Sequence, residues 1–200
     1  MWLGKKQLNN IRQKWDERYR DYPKNWFTRP RPILEEHEHL LPASGLALDI
    51  AMGAGENSSF LINHGLSVIG IDISGVAVRQ AKQLNPKISA CIANLEEFSF
   101  PPGIFDVIMN FYYLQRGLIP KFQQMLKPGG LVIFETLTRQ TLLEKPDISP
   151  RMLLAENELA SLFTGWEVLF YREGRIRSDH GKMKSIASII TRLPEKISKE

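Results

Sequence analysis

Five short apolar runs punctuate this chain: Leu46–Ile50, Val68–Asp72, Ile88–Ala93, Phe105–Phe111 and Leu131–Glu135. Each is too short for a buried helix and suits a strand covered on both faces. The segments between them have helical character. Glu56 to Asn63 offers Phe60 and Leu61 to a core and ends at His64-Gly65, with glycine in the left-handed position. Ser74 can cap a helix that runs to Leu84 and stops at Asn85-Pro86, and Gly117 to Leu126 reads as a third helix. Strands alternating with helices predict a parallel sheet with helices on both faces. Ahead of this core, Lys5 to Tyr22 carries Leu8, Ile11, Trp15 and Tyr19 at helical spacing. That stripe would pack the helix on the domain, or make it a lid over a pocket. Tyr22 to Pro32 reads as a loop, and Ile33 to Leu41 as a helix stopped by Pro42. Near the end, Glu156 to Phe163 reads as a helix closed by Gly165. Trp166–Arg172 and Ser185–Arg192 then read as a β-hairpin with a polar, basic connection, an antiparallel edge on the parallel sheet.

Composition narrows the setting. With 200 residues and 43% hydrophobic content, one domain is expected over 1–200, a helical cap at 1–42 followed by the sheet core at 43–193. No apolar run approaches the ~20 residues of a membrane span, and the first residues lack the apolar region of a signal peptide. The single cysteine, Cys91, excludes an internal disulfide and fits a reducing cytoplasm. Its place in an apolar run predicts a buried structural thiol. The net charge of +4 permits anionic substrates without calling for nucleic acid.

The chemistry concentrates in Leu46–Ser59, LALDIAMGAGENSS. A strand enters the small-residue turn Ala51-Met52-Gly53-Ala54-Gly55, and a helix leaves it with free N–H groups at its start. The next strand ends in Asp72, an acid placed to accept hydrogen bonds from ribose hydroxyls. Ser58 stands where a dinucleotide fingerprint needs its third glycine, which argues against NAD. Asp49 would repel a pyrophosphate but suits the ammonium of a methionine moiety. His37 and His39 face different directions on their helix and do not make a joint metal site; no metal is expected.

In order, LALDIAMGAGENSS, VIGIDIS, FDVIMNF and LKPGGLVIFET resemble the motif series of class I S-adenosylmethionine-dependent methyltransferases, over about residues 40 to 193. Within them the chain resembles the tellurite-resistance (TehB-like) small-molecule methyltransferases, through Gly55-x-Asn57-Ser58 and the closing Gly165-Trp166-Glu167…Tyr171. It departs from them at Ala51-Met52-Gly53, where the family turn usually reads Gly-Cys-Gly, and at Asn94, where aspartate usually binds the adenine amino group. An amide oxygen can also accept that bond. The resemblance implies a Rossmann-like, doubly wound, mostly parallel seven-stranded α/β sheet with a C-terminal antiparallel hairpin. It also implies a cofactor site for S-adenosylmethionine, with S-adenosylhomocysteine as product. In that site the backbone from Ala51 through Met52 and Gly53 to Gly55 lines the methionine and ribose portions, with Asn57 and Asp49 near. Asp72 holds the ribose, Ile73 sandwiches adenine, Asn94 and Leu95 address its edge, and Asn110 lies toward the methionine end.

The sulfonium already carries an activated methyl group, so the protein must align a nucleophile and exclude water. The acceptor-side candidates are Tyr112, Tyr113, Arg116, Arg177 and His180. The expected acceptor is small: a thiol, a metalloid oxyanion or another nucleophile. Two alternatives remain open, an RNA or protein methyltransferase using the basic tail, and a non-catalytic cofactor-binding protein. Neither a membrane nor a nucleic-acid partner is expected, and the sequence leaves monomer and homodimer equally open.

Overall fold

The apolar runs become strands, and the periodic segments become the helices between them. The structure, a computed structural model, describes residues 5–22, 29–177, 181 and 183–195. It divides into two compact units, 1–99 and 100–200.

In the first unit, β1 (Gly45–Ile50), β2 (Leu66–Asp72) and β3 (Ser89–Ile92) run parallel in the order β3-β2-β1. A helix precedes them, α1 (Lys5–Asp21), and then a short one, α2 (Pro32–Glu36). The crossovers are α3 (Glu56–His64) and α4 (Gly75–Leu84). Ser74 caps α4 as its sequence predicts, its hydroxyl accepting from Ala77 N–H at 3.1 Å. Gly65 closes α3 at φ +124°, its N–H shared between the Leu61 and Ile62 carbonyls. Leu48, Ile50, Leu61, Ile71, Ala81 and Ile88 are buried at the core of this unit.

Two local expectations change here. The helix predicted from Ile33 to Leu41 breaks at His37, which leaves helical geometry while its Nδ1 lies 3.1 Å from the Ile33 carbonyl; a 3₁₀ turn, Glu38–Leu40, follows. Cys91 is half-buried rather than buried, because β3 ends the strand order and has a sheet neighbour on one side only.

The second unit holds β4 (Phe105–Phe111), β5 (Leu126–Leu137), β6 (Glu167–Arg177) and β7 (Met183–Arg192) in the order β4-β5-β7-β6. β4 and β5 are parallel, and β7 is antiparallel to both β5 and β6. Its helices are α5 (Ile119–Met125) and α6 (Glu158–Leu162). Lys127-Pro128-Gly129-Gly130 forms an irregularity inside β5: pairing with β4 jumps from Phe105↔Leu126 to Val107↔Leu131. The hairpin strands are longer than expected because the polar connection itself pairs, down to Arg177↔Met183. The seven strands are those of a mostly parallel Rossmann-like sheet with antiparallel strands at its C-terminal end. No helix among the described residues is long and apolar enough to cross a membrane.

Candidate functional site

The turn after β1 is built from strained backbone. Ala51, a non-glycine residue, sits at φ +54°, Gly53 at +62° and Gly55 at +89°. Glycine adopts such backbone freely, but at Ala51 it persists only where surrounding bonds impose it. Met52 N–H donates to the Ile71 carbonyl at 3.0 Å, and Gly53 N–H donates to Asp72 Oδ2 at 2.9 Å. Asp72 Oδ1 also accepts from Ser74 N–H at 2.8 Å. Asp72 thus ties the turn to the start of α4.

The glycines serve different surfaces. A Cβ on Gly55 would lie 2.8 Å from the Ala81 Cβ and 2.9 Å from Ile88, so this glycine lets α3 close onto the core. A Cβ on Gly53 would lie 2.6 Å from the hydroxyl of Tyr19, which reaches the turn from α1. Asp16, one turn earlier on α1, accepts from the Ser74 hydroxyl at 2.6 Å and from Val76 N–H at 3.0 Å. Burial works against its charge, but those two bonds and the nearby Arg12 and Arg79 hold its carboxyl below the usual range. Met52 reaches the ligand side through its backbone only: its side chain packs with Val78, Ala81 and Ile88, against Gly70 of β2.

Three carboxylates crowd this turn. Burial pushes Asp49 up to about 7, with Glu56 and Asp72 pushing the same way, against the Ser58 hydroxyl that donates to it at 2.7 Å. Ser58, where a dinucleotide site has glycine, therefore holds an acid in place. Burial also pushes Glu56 up to about 7, opposed by its own N–H and by Arg31, and its Oε1 is buried without a partner. Asp72 is raised by burial too, against the N–H groups of Ser74, Gly53 and Ile73. Asn57 is 9% exposed, and its Oδ1 accepts from Arg31 N–H at 2.9 Å.

Beyond β3, Ala93 N–H donates to the Asp72 carbonyl at 3.1 Å, which brings Asn94 close to the end of β2. Leu95 is buried there, and Ile73 is half-buried. Asn94 Oδ1 accepts from Glu96 N–H at 3.1 Å, while its Nδ2 is buried without a partner.

In the second unit Asn110, at the tip of β4, is 1% exposed, and its Oδ1 has no hydrogen-bond partner among the described residues. Tyr112 follows at φ +58°. Its N–H donates to the Glu135 carbonyl at 2.8 Å and its hydroxyl to Glu135 Oε1 at 3.0 Å. Glu135 Oε2 accepts from the buried Ser188 hydroxyl at 2.7 Å, and Lys184 Nζ lies 5.0 Å from the centre of the Tyr112 ring. Tyr113 donates to Gln115 at 2.7 Å. Arg116 is committed elsewhere, gripping both oxygens of Glu158 and the carbonyls of Arg151 and Leu153. Arg177 is exposed at the end of β6, and His180 lies outside the described residues. Sequence reading missed Tyr19, Glu56, Glu135 and Ser188. Only Glu56 carried a local signal, as an acid directly after Gly55.

Residues 47–130 match the family described as a methyltransferase domain. An uncharacterized methyltransferase of Synechocystis is 29% identical over 150 residues, 68% of each chain. The chain spans only 43% and 49% of the length of two further curated relatives that it matches. Among solved structures, the N-methyltransferase NodS of Bradyrhizobium japonicum, in complex with S-adenosylhomocysteine, superposes with a TM-score of 0.69 at 23% identity. That match covers 93% of this chain and 100% of that one. TehB of Haemophilus influenzae superposes with a TM-score of 0.68 at 18% identity, over 90% of this chain and 67% of that one. Residues 47–130 are thus similar to a methyltransferase domain, and the chain shares the fold of S-adenosylmethionine-dependent methyltransferases.

Proposed function

We propose that this chain binds S-adenosylmethionine along the carboxyl ends of β1 to β3 and methylates a small-molecule nucleophile. The observation that carries this reading is the set of three acids around one turn, the buried Asp49 and Asp72 and the half-buried Glu56. Carboxylates raised by burial gain most from a cationic ligand, and an anionic pyrophosphate would worsen their crowding. The bound cofactor supplies an already activated methyl group.

The chain's own residues do the rest. Asp72 keeps lone pairs for ribose hydroxyls beyond the two N–H groups it already accepts. Asp49 and Glu56 face the ammonium of the methionine moiety. The backbone of Ala51, Gly53 and Gly55 lines the ligand, while Met52 and Asn57 brace the turn from behind. Ile73 and Leu95 take the flat faces of the base. In the second unit Asn110 supplies a buried acceptor, and Tyr112, Tyr113 and Arg177 are the candidates for handling the methyl acceptor; His180 lies outside the described residues. A small acceptor is favoured because only residues 138–166 lie between β5 and β6, a short insert for gripping a macromolecule. A cytoplasmic setting fits the lone, half-buried thiol of Cys91.

The test is calorimetry with S-adenosylhomocysteine and NAD, followed by transfer of isotopically labelled methyl groups to thiols, tellurite, small amines and RNA. Binding of the thioether but not NAD, with label on a small acceptor, is expected. Binding of NAD alone defeats the reading, label only on RNA moves it to a macromolecular substrate, and binding without transfer to any acceptor leaves a cofactor-binding protein.

A further inference from the structure

In the second unit β6 stands last in the order β4-β5-β7-β6. It pairs with β7 on one side, and no strand among the described residues pairs with its other side. In an antiparallel ladder, alternate residues turn their N–H and C=O groups to opposite sides. The outer edge of β6 is therefore a row of backbone groups that another strand can join. Such edges are commonly guarded by proline, lysine or a bulge. Glu167–Arg177 holds no proline or lysine, and its irregularity lies at one end, between Val168 and Phe170. From Phe170 to Arg177 the pairing with β7 is regular, and every residue is half-buried or exposed.

The charges on that stretch select the partner strand. Tyr171, Glu173, Arg175 and Arg177 share one face, and Arg172, Gly174 and Ile176 the other. A strand paired antiparallel with its own copy about a twofold axis turns about one residue, which then lies opposite itself. Turning about Arg172, Glu173 or Arg175 sets a like charge against itself. Turning about Gly174 sets Glu173 opposite the partner's Arg175, and Arg175 opposite the partner's Glu173. It also sets Arg177 opposite the partner's Tyr171, a cation against an aromatic ring. Gly174 itself stands at φ +153°, and a Cβ there would meet nothing among the described residues within 4 Å, so the approach at the axis is open.

The contacts these charges make within the chain leave room for the pairing. Glu173 Oε2 accepts from Asn157 N–H at 3.1 Å and from the Tyr171 hydroxyl, and Arg175 donates to Glu144 at the surface. A carboxylate has further lone pairs, and a guanidinium further N–H groups.

We propose that two copies of this chain pair through β6, antiparallel about Gly174, into a twofold dimer with one continuous sheet across the interface. The pairing is isologous. It uses up the β6 edge of both copies and stops at two.

The experiment is sedimentation velocity of the full chain over a range of concentrations. Wild type, Glu173→Arg, Arg175→Glu, the double variant and an equimolar mixture of the two single variants are compared. Wild type should reach twice the mass of the chain. Each single variant should raise the dissociation constant roughly tenfold or more, because symmetry turns two attractive pairs into two repulsive ones. The double variant exchanges the charges and should dimerise like wild type. In the mixture, a pair of unlike copies again sets each charge opposite its complement, so the mixture should dimerise where each component alone does not. If Glu173→Arg fails to fold, Arg175→Glu should weaken the dimer more than Arg175→Gln, and equal dissociation constants for those two would overturn the proposal. A wild type that stays monomeric at every concentration, or grows beyond two copies, overturns it. So does a dimer indifferent to both single changes, or a loss that neither the double variant nor the mixture restores.

Discussion

Two strand tips in this molecule hold a non-glycine residue in left-handed backbone, and they do it by different means. After β1, Ala51 stands at φ +54°; after β4, Tyr112 stands at φ +58°. The first tip is held by its neighbours in the parallel sheet, through Met52 N–H to Ile71 and Gly53 N–H to Asp72. The second is held by one residue twice, since Glu135 accepts from Tyr112 through both its carbonyl and its carboxylate. In the function proposed above, the β1 tip opens a backbone surface to a ligand. The β4 tip spends its constraint on aiming one aromatic side chain. A site for a cofactor and a site that orients a single group call for different kinds of strain.

The comparison breaks most visibly at the acids that hold each tip. Asp72→Ala should have the largest effect, because it orphans the buried N–H groups of Gly53 and Ser74 and removes the ribose contact together. A stability loss of about 1–3 kcal/mol is expected in denaturant melts, with binding of S-adenosylhomocysteine weakened at least tenfold in calorimetry. A variant that melts and binds like wild type would remove Asp72 from both roles. Glu135→Ala comes next. It strands the Tyr112 and Ser188 hydroxyls, for a loss of about 1–3 kcal/mol in the same melts, yet calorimetry should show cofactor affinity within about threefold of wild type. If instead cofactor affinity falls as far as in Asp72→Ala, the two tips are not functionally distinct.

The same two tips mark how far the sequence could be read. The β1 turn was legible because its constraints are local: small residues wherever φ is positive, an acid at the end of the next strand, and Ser58 inside the following helix. The β4 tip was legible only as far as Asn110 and the two tyrosines. Its anchor, Glu135, closes an apolar run and looks like an ordinary strand end; its bond to Ser188 spans 53 positions and exists only because β7 pairs antiparallel to β5. Tyr19 was read as part of a core stripe, although its hydroxyl reaches the glycine turn. Met52 and Arg116 show how far side-chain placement escapes a local reading. Both lie in suggestive stretches, but Met52 turns into the core beneath Gly70, and Arg116 is claimed by Glu158 from 42 positions away. Contacts set by strand register or helix docking leave no mark within a short window of sequence.

A smaller effect sharpens the account of the β1 tip. Gly53→Ala places a Cβ in left-handed backbone and against the Tyr19 hydroxyl, for about 1–2 kcal/mol of destabilisation. Tyr19→Phe deletes the colliding oxygen, so the double variant should recover the part of that loss due to collision and keep the part due to φ. Additive losses in thermal melts of the single and double variants would show that α1 does not press on the turn.

The smallest expected effect is a pH dependence confined to the β1 tip. Asp49 and Glu56 are raised by burial to about 7, so in the free protein both are largely protonated at pH 6 and largely ionised at pH 8. A folded pKa above the unfolded one means that the protonated form is the one compatible with burial. The stability this contributes is fully present below the ordinary carboxylate range and is lost as pH rises through 7. The ligand-free protein should therefore melt at a lower temperature at pH 8 than at pH 5. A cationic ligand reverses the preference, because it binds the ionised acids. Affinity for S-adenosylmethionine should rise by roughly threefold to tenfold from pH 6 to pH 8, with proton release in calorimetry that fades above pH 8. Asp49→Asn should flatten that rise. Glu135→Gln, at the other tip, should leave it unchanged. An affinity independent of pH, or one that falls as pH rises, would mean that the buried acids do not face the ligand's charge.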